Sequence, residues 1–120
     1  MSETYDLFQL GKSRLREGLP AEATGPLEQA KSLEPRKASI REALGIAYFR
    51  SRRWEDAEAE FRVLVELAPA DHYAHYALGR SLERIGRTEE ARGHLKLARL
   101  LKPAPAESAD DDRPTLEPGG

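Results

Sequence analysis

The sequence predicts an all-α chain of six helices arranged as three hairpins, and three observations support this prediction. First, several residue types recur at an interval of 34 residues, namely Pro35, Pro69 and Pro103; Gly11, Gly45 and Gly79; and Ala23, Ala57 and Ala91. Second, apolar residues between these markers keep helical spacing. Third, each unit carries turn-forming residues in its middle and a proline at its end. A repeat of this length is typical of stacked helical hairpins.

The second unit shows the helical pattern most clearly. Its first helix is marked by residues at i, i+3, i+4 and i+7, which lie on one helical face: Arg41, Leu44, Gly45 and Tyr48. Its second helix carries Ala57, Phe61 and Leu64 on one stripe. Glycine inside a helix costs about 1 kcal/mol relative to alanine. The recurring glycine therefore predicts a close approach of two helices, with the small alanine expected opposite it.

The turns between the helices repeat as well. Gly18 and Gly86 follow the predicted first helices of units one and three, where a left-handed residue ends a helix favourably. The second unit has Arg52 at this position. The prolines at the unit boundaries are expected to end the second helices.

This order of residues resembles the tetratricopeptide repeat family. The second unit supplies the family's pattern of small, aromatic and large apolar residues with Leu44, Gly45, Tyr48, Ala57, Phe61, Leu64 and Pro69. The resemblance covers about residues 3–103 and implies a right-handed α-solenoid of three helix-turn-helix hairpins. We therefore expect a tetratricopeptide domain over residues 1–103, with repeats at about 4–37, 38–71 and 72–103.

The tail, residues 104–120, differs in composition from the rest of the chain. It is rich in proline, glycine and acidic residues, and it carries a net charge of −4, which leaves +2 for residues 1–103. Such a composition predicts disorder. Two roles remain open. The tail could be an inert solubilising extension, or Asp110 to Asp112 and Leu116 could occupy basic and apolar pockets as a self-peptide.

Composition also limits the classes of function. The chain has no cysteine, which excludes disulfides, thiolate metal sites and a cysteine nucleophile, and fits a reducing cytoplasm. Fourteen arginines against five lysines fit a GC-rich bacterial gene. The polar start, Met1 to Asp6, does not resemble a signal peptide, and no apolar run is long enough to span a bilayer. We expect a bacterial, cytoplasmic protein with neither membrane nor nucleic-acid partners.

The resemblance implies that the first helix of each hairpin lines a concave groove. The stripe expected to face this groove mixes aromatic, apolar and basic residues: Tyr5, Phe8, Lys12, Arg16, Ile46, Phe49, Arg50, Tyr73, Tyr76, Arg80 and Arg84. Aromatic and arginine side chains dominate interface energies. We predict that the groove binds an extended or helical peptide with apolar anchors and acidic groups. The alternative is that the aromatics only pack between neighbouring helices.

Some members of the family hold a carboxylate in a clamp formed by all three first helices. The corresponding positions here are Phe8, Lys12, Ile46, Tyr76 and Arg80. Lys12 and Arg80 are the cations among them, so the resemblance implies at most a partial clamp.

Two further sites were considered. The last predicted helix exposes Leu97, Leu100 and Leu101 with no capping helix after it, which suggests self-association or partner docking. His72 and His75 stand at i, i+3 and could bind a metal, but the sequence suggests no third ligand. We therefore predict no metal, cofactor or catalytic residue. The favoured function is a non-enzymatic protein–protein interaction module, acting as an adaptor, scaffold or chaperone-like partner.

Overall fold

A computed structural model describes residues 2–103 and 113–117, and within them it contains six α-helices. They are α1 (Glu3–Arg16), α2 (Pro20–Leu33), α3 (Ala38–Arg50), α4 (Trp54–Leu67), α5 (His72–Arg84) and α6 (Thr88–Leu101). Each helix packs against the next one in the chain, so the three hairpins stack in sequence order. The predicted all-α fold is confirmed. Within the described residues, none of the helices combines the length and apolar character that crossing a bilayer requires.

The three hairpin turns share one backbone geometry. Gly18 and Gly86 have φ angles of 77° and 84°, and Arg52 adopts the same left-handed conformation with φ 63°. In the second hairpin, the N–H of Arg53 donates to the carbonyl of Tyr48 at 2.9 Å, which closes the end of α3. The predicted left-handed glycine caps are confirmed. The turn geometry is kept even where an arginine must adopt a conformation that L-residues disfavour.

The close approach within each hairpin occurs at the repeated glycines. A Cβ atom on Gly45 would lie closer than 3.0 Å to the ring of Phe61, and one on Gly79 would lie 2.7 Å from Leu95. Gly11 faces Leu27 in the same way. The nearest atoms belong to a large side chain of the second helix, and at Gly79 the carbonyl oxygen of Ala91 also lies 3.3 Å from the Cβ position.

A buried carboxylate joins the first two hairpins. The side chain of Glu60, on α4, is 6% exposed and accepts from Lys31 Nζ at 2.8 Å and from Arg41 Nη1 at 2.9 Å. Arg41 Nε also donates to the carbonyl oxygen of Pro35 at 2.8 Å. Because both ends of the carboxylate are paired, its burial is compensated. Arg41 thus joins the second hairpin to Pro35 in the loop that follows α2.

The third hairpin makes the equivalent link with two histidines. His75 and His94 stand 34 residues after Arg41 and Glu60. The His75 Nε2 atom lies 2.7 Å from the carbonyl oxygen of Pro69, and the two Nδ1 atoms lie 3.1 Å apart. The carbonyl can only accept, so His75 donates from Nε2, and one of the two Nδ1 atoms donates to the other. Burial, assisted by the nearby His75, lowers the pKa of His94.

Gly45 and Gly93 both lie inside helices, but their substitution by alanine is predicted to change the free energy of unfolding in opposite directions. Gly45→Ala should lower the free energy of unfolding by about 1–3 kcal/mol, because the added Cβ meets the Phe61 ring. Gly93→Ala, inside α6 with no atom near the added Cβ, should raise it by up to about 1 kcal/mol. Urea unfolding followed by circular dichroism measures both. Equal effects of the two substitutions would contradict the role given to the close approach.

The histidine pair predicts a pH dependence of stability. The lowered pKa of His94 means that the unfolded chain binds a proton more readily, so the free energy of unfolding should fall as the pH drops below about 6.5. The loss should grow progressively between about pH 7.5 and about pH 5.5, as the unfolded histidine takes up its proton. His94→Gln should reduce this difference, whereas His72→Gln, outside the pair, should keep it. An unchanged profile in His94→Gln would refute the assignment.

Candidate functional site

Five residues of the C-terminal tail, Arg113–Glu117, lie against the first helices of the second and third hairpins. We call these residues the tail segment, and the surface formed by α1, α3 and α5 the groove. The segment starts beside Asp71, before α5, and ends beside Arg80 and Arg84 in the second half of that helix. It therefore runs along α5. The remaining tail residues, 104–112 and 118–120, for which disorder was predicted, lie outside the described residues.

The start of the segment is held at an acidic end of the groove. Arg113 donates to both carboxylate oxygens of Asp71, at 2.9 and 2.7 Å, and also to Glu42. Its guanidinium lies 4.4 Å from the centroid of the Tyr73 ring. Burial alone would raise the pKa of Asp71, but hydrogen bonds from Arg113 hold it below its usual value. The bidentate geometry is a feature that the planar guanidinium of arginine satisfies and the ammonium of lysine does not.

The middle of the segment is held through its main chain. The Tyr73 hydroxyl donates to the carbonyl oxygen of Pro114 at 3.1 Å, and Arg50 Nε donates to that of Thr115 at 3.1 Å. Burial, followed by the charge of Glu42, raises the pKa of Tyr73, so its phenol remains a donor at neutral pH. Contacts to carbonyl oxygens do not depend on side-chain identity. These two donors would therefore hold any extended peptide in the same register.

Leu116 is the apolar anchor of the segment. It is 4% exposed and belongs to the same buried cluster as Ile46 and Phe49, which are 0% and 2% exposed. Fully burying a leucine side chain contributes about 1.5–3 kcal/mol. With the segment in place, Ile46 and Phe49 thus behave as core residues rather than as an open surface.

The end of the segment is held at a basic end of the groove. Glu117 accepts from Arg80 Nη2 at 2.8 Å and lies 3.4 Å from Arg84 Nη2. The hydrogen bond from Arg80 is the main cause that lowers the pKa of Glu117. The guanidinium of Arg84 also lies 5.0 Å from the ring centroid of Trp54, the one tryptophan of the sequence. Trp54 is consequently a fluorescent reporter close to this contact.

One cavity adjoins the segment. It has a volume of about 370 Å³, lies between α1 and α3 and is bounded by the predicted groove residues Phe8, Lys12, Arg16 and Arg50, with Arg113 and Pro114 at its edge. A second cavity, of about 630 Å³, lies between α5 and α6 and is lined by Tyr73, Tyr76 and Arg80, among others. The groove therefore has open space on the α1 side of the segment.

The predicted site residues divide into several groups. Four of them contact the segment, namely Arg50, Tyr73, Arg80 and Arg84. Phe8, Lys12, Arg16 and Tyr76 line the cavities, while Tyr5 is 56% exposed at the far end of the array. His75 pairs with His94 instead of His72, and within the described residues no group of three potential metal ligands occurs. On α6, Leu97, Leu100 and Leu101 are 42%, 72% and 36% exposed.

Sequence reasoning missed the acidic end of the groove. Glu42 lies on the predicted stripe one turn before Ile46, but Asp71 lies in the loop before α5 and could not be placed against it from spacing alone. Arg113 is the single basic residue among residues 104–120. That isolated positive charge in an acidic tail was the available signal.

Comparison with known sequences identifies the repeat. A family model described as "Tetratricopeptide repeat" matches residues 8–72 and 43–108. The chain is 33% identical over 95 residues to the TPR repeat-containing thioredoxin TTL4 of Arabidopsis thaliana. This match spans 79% of the chain but 14% of TTL4, so it concerns a small part of that protein.

Solved structures show the same architecture. A mutant of MamA matches with a TM-score of 0.80 and 26% identity, over 87% of this chain and 76% of that one. The second TPR of Spaghetti (RPAP3), bound to the HSP90 peptide SRMEEVD, matches with a TM-score of 0.79 and 18% identity, over 84% and 94% of the chains. The second likeness shows the fold alone. With its three hairpins, its glycine contacts and a family match over most of its length, the chain belongs to the tetratricopeptide repeat family.

Proposed function

We propose that this chain is a non-enzymatic protein-interaction module that binds an extended segment of a partner protein in the groove. The observation that carries this proposal is the tail segment, which the groove holds by its side chains and its carbonyl oxygens. A surface that orders five residues of its own chain in this way has the donors, the acceptors and the apolar contact that peptide recognition needs. Membership of the tetratricopeptide repeat family supports the same general role.

The residues around the segment are suited to binding a peptide rather than to catalysing a reaction. Tyr73 and Arg50 are directed at peptide carbonyls, and the charged residues at both ends form ion pairs with side chains. The cavity between α1 and α3 carries Lys12 and Arg16, which suit acidic groups of a longer ligand. We propose an adaptor, scaffold or chaperone-like role in a bacterial cytoplasm, in which the partner's segment replaces or extends the tail segment.

The groove predicts that partner capture depends on two arginines. In affinity enrichment quantified by mass spectrometry, a groove partner should fall about tenfold or more in Arg80→Ala/Arg84→Ala, because charge-assisted hydrogen bonds contribute about 1.5–3 kcal/mol. Arg87→Ala/Arg92→Ala is the matched control, since it removes the same charge from arginines that pair with Glu90 and Glu89 outside the groove. Partners retained equally by both variants would refute binding in the groove.

A second candidate is self-assembly through the exposed leucines of α6. Leu100 is 72% exposed and Leu97 42%, and exposed apolar groups on one helix favour association. If the array assembles through this face, wild-type protein should exceed the monomer mass in light scattering, and Leu97→Glu/Leu100→Glu should restore the monomer. Arg92→Glu on the same helix changes the net charge equally and should not dissociate the assembly. A wild-type monomer at every concentration would remove this candidate.

A further inference from the structure

We propose that the groove selects an extended peptide in which a basic residue is followed, three and four positions later, by leucine and an acidic residue, and that Arg113–Glu117 is a resident ligand of this kind. This inference rests on the proposed function, because it assumes that the groove is a peptide site. It adds the chain direction of the bound peptide, the spacing of its charged residues, and the tail segment as a competitor for the groove. The partner is then a protein segment of the type Arg-x-x-Leu-Glu.

The charges of the groove determine the direction of the ligand. Glu42 and Asp71 lie at one end, where they bind Arg113, and Arg80 and Arg84 lie at the other, where they bind Glu117. A peptide bound in the reverse direction would place its acid against two carboxylates and its base against two arginines. Like charges brought together at an interface disfavour the wrong orientation by several kcal/mol.

The spacing between the charged positions is limited by the reach of the backbone, which bends at Leu116 and Glu117. Four residue steps at about 3.3 Å each span at most about 13 Å. Arg80 lies nine residues after Asp71, the residue before α5, and nine helical steps at about 1.5 Å also cover about 13 Å. Three intervening residues therefore let the arginine and the glutamate reach both charged ends of the groove. A much longer or shorter spacer should weaken one of the two charge contacts.

The residues between the charged positions differ in how strongly the groove restricts them. Pro114 and Thr115 are contacted through their carbonyl oxygens, and the exposed Thr115 also accepts from Arg50 Nη2 through its hydroxyl at 3.2 Å. Leu116, by contrast, is 4% exposed within an apolar cluster, where a polar side chain would lose its hydration. The pattern therefore requires an apolar residue directly before the acid and restricts the two preceding positions less.

The tail segment is also a competitor for the groove. It is tethered to the domain by residues 104–112, so its effective concentration is high, in the millimolar range expected of short linkers. A partner peptide binds only the fraction of molecules whose groove is vacant, and its apparent affinity falls by that fraction. Only partners that bind the groove more tightly than the tail segment should therefore displace it.

The experiment uses the full chain with Leu116→Asp, which should release the segment, and Leu33→Asp as the matched control at an exposed leucine of α2. The probe is a fluorescein-labelled peptide of residues 111–119, compared with a peptide in which the residues equivalent to Arg113 and Glu117 are exchanged. The two peptides have the same composition and net charge. Circular dichroism confirms the fold of each protein, and Trp54 fluorescence reports release of the segment near Arg84.

The peptide of natural order should bind the Leu116→Asp protein at least about tenfold more tightly than the exchanged peptide. It should bind wild type and Leu33→Asp about tenfold more weakly than Leu116→Asp, because their own segment fills the groove. Equal affinities for the two peptides would overturn the proposed pattern. Equal affinities for Leu116→Asp and wild type would overturn the resident ligand. A wild-type dimer that Leu116→Asp dissociates would show exchange between copies and overturn competition within one chain.

These outcomes are separable from the test of the proposed function. If partner capture depends on Arg80 and Arg84 while the two peptides bind alike, the groove remains a binding site and the pattern is wrong. If capture is unaffected by Arg80→Ala/Arg84→Ala and neither peptide binds, both proposals fail.

Discussion

The close approach of two helices at a glycine is the constraint on which the rest of this structure depends. At Gly11, Gly45 and Gly79 the missing side chain admits Leu27, Phe61 and Leu95 from the facing helix. Each contact sets the distance between the two helices of a hairpin, and because it recurs every 34 residues the three hairpins have similar geometry. Hairpins of similar geometry stack regularly and place their first helices side by side. The groove is a consequence of that stacking, since it consists of those helices.

The links between hairpins show that a repeat can keep its geometry while its chemistry changes. Arg41 and Glu60 form a buried ion pair, and His75 and His94 occupy the equivalent positions as a hydrogen-bonded pair. In both cases a side-chain nitrogen also reaches the carbonyl oxygen of the proline that precedes the helix pair. The ion pair and the histidine pair differ in their response to pH. The third hairpin is therefore the part of the array whose stability is expected to fall under mildly acidic conditions.

The groove combines two kinds of recognition that have different consequences. Donors aimed at carbonyl oxygens, from Tyr73 and Arg50, favour any extended chain, whereas the charged ends and the Leu116 site favour a particular order of residues. The tail satisfies both. A domain of this kind can hold its own tail until a better-matched segment competes for the same contacts, so regulation requires no change of fold.

The sequence by itself determined the six helices, their order and the left-handed turns, because these depend on residues close together in the chain. It also indicated the aromatic and basic stripe of the groove, since residues one turn apart share a helical face. Only the tertiary structure decided that a large side chain fills the space at each glycine, that Ile46 and Phe49 are covered, and that Arg113 binds Glu42 and Asp71. The physical reason is distance along the chain. Arg113 lies 71 residues from Glu42 and 42 residues from Asp71, and no local pattern encodes a contact between segments so far apart.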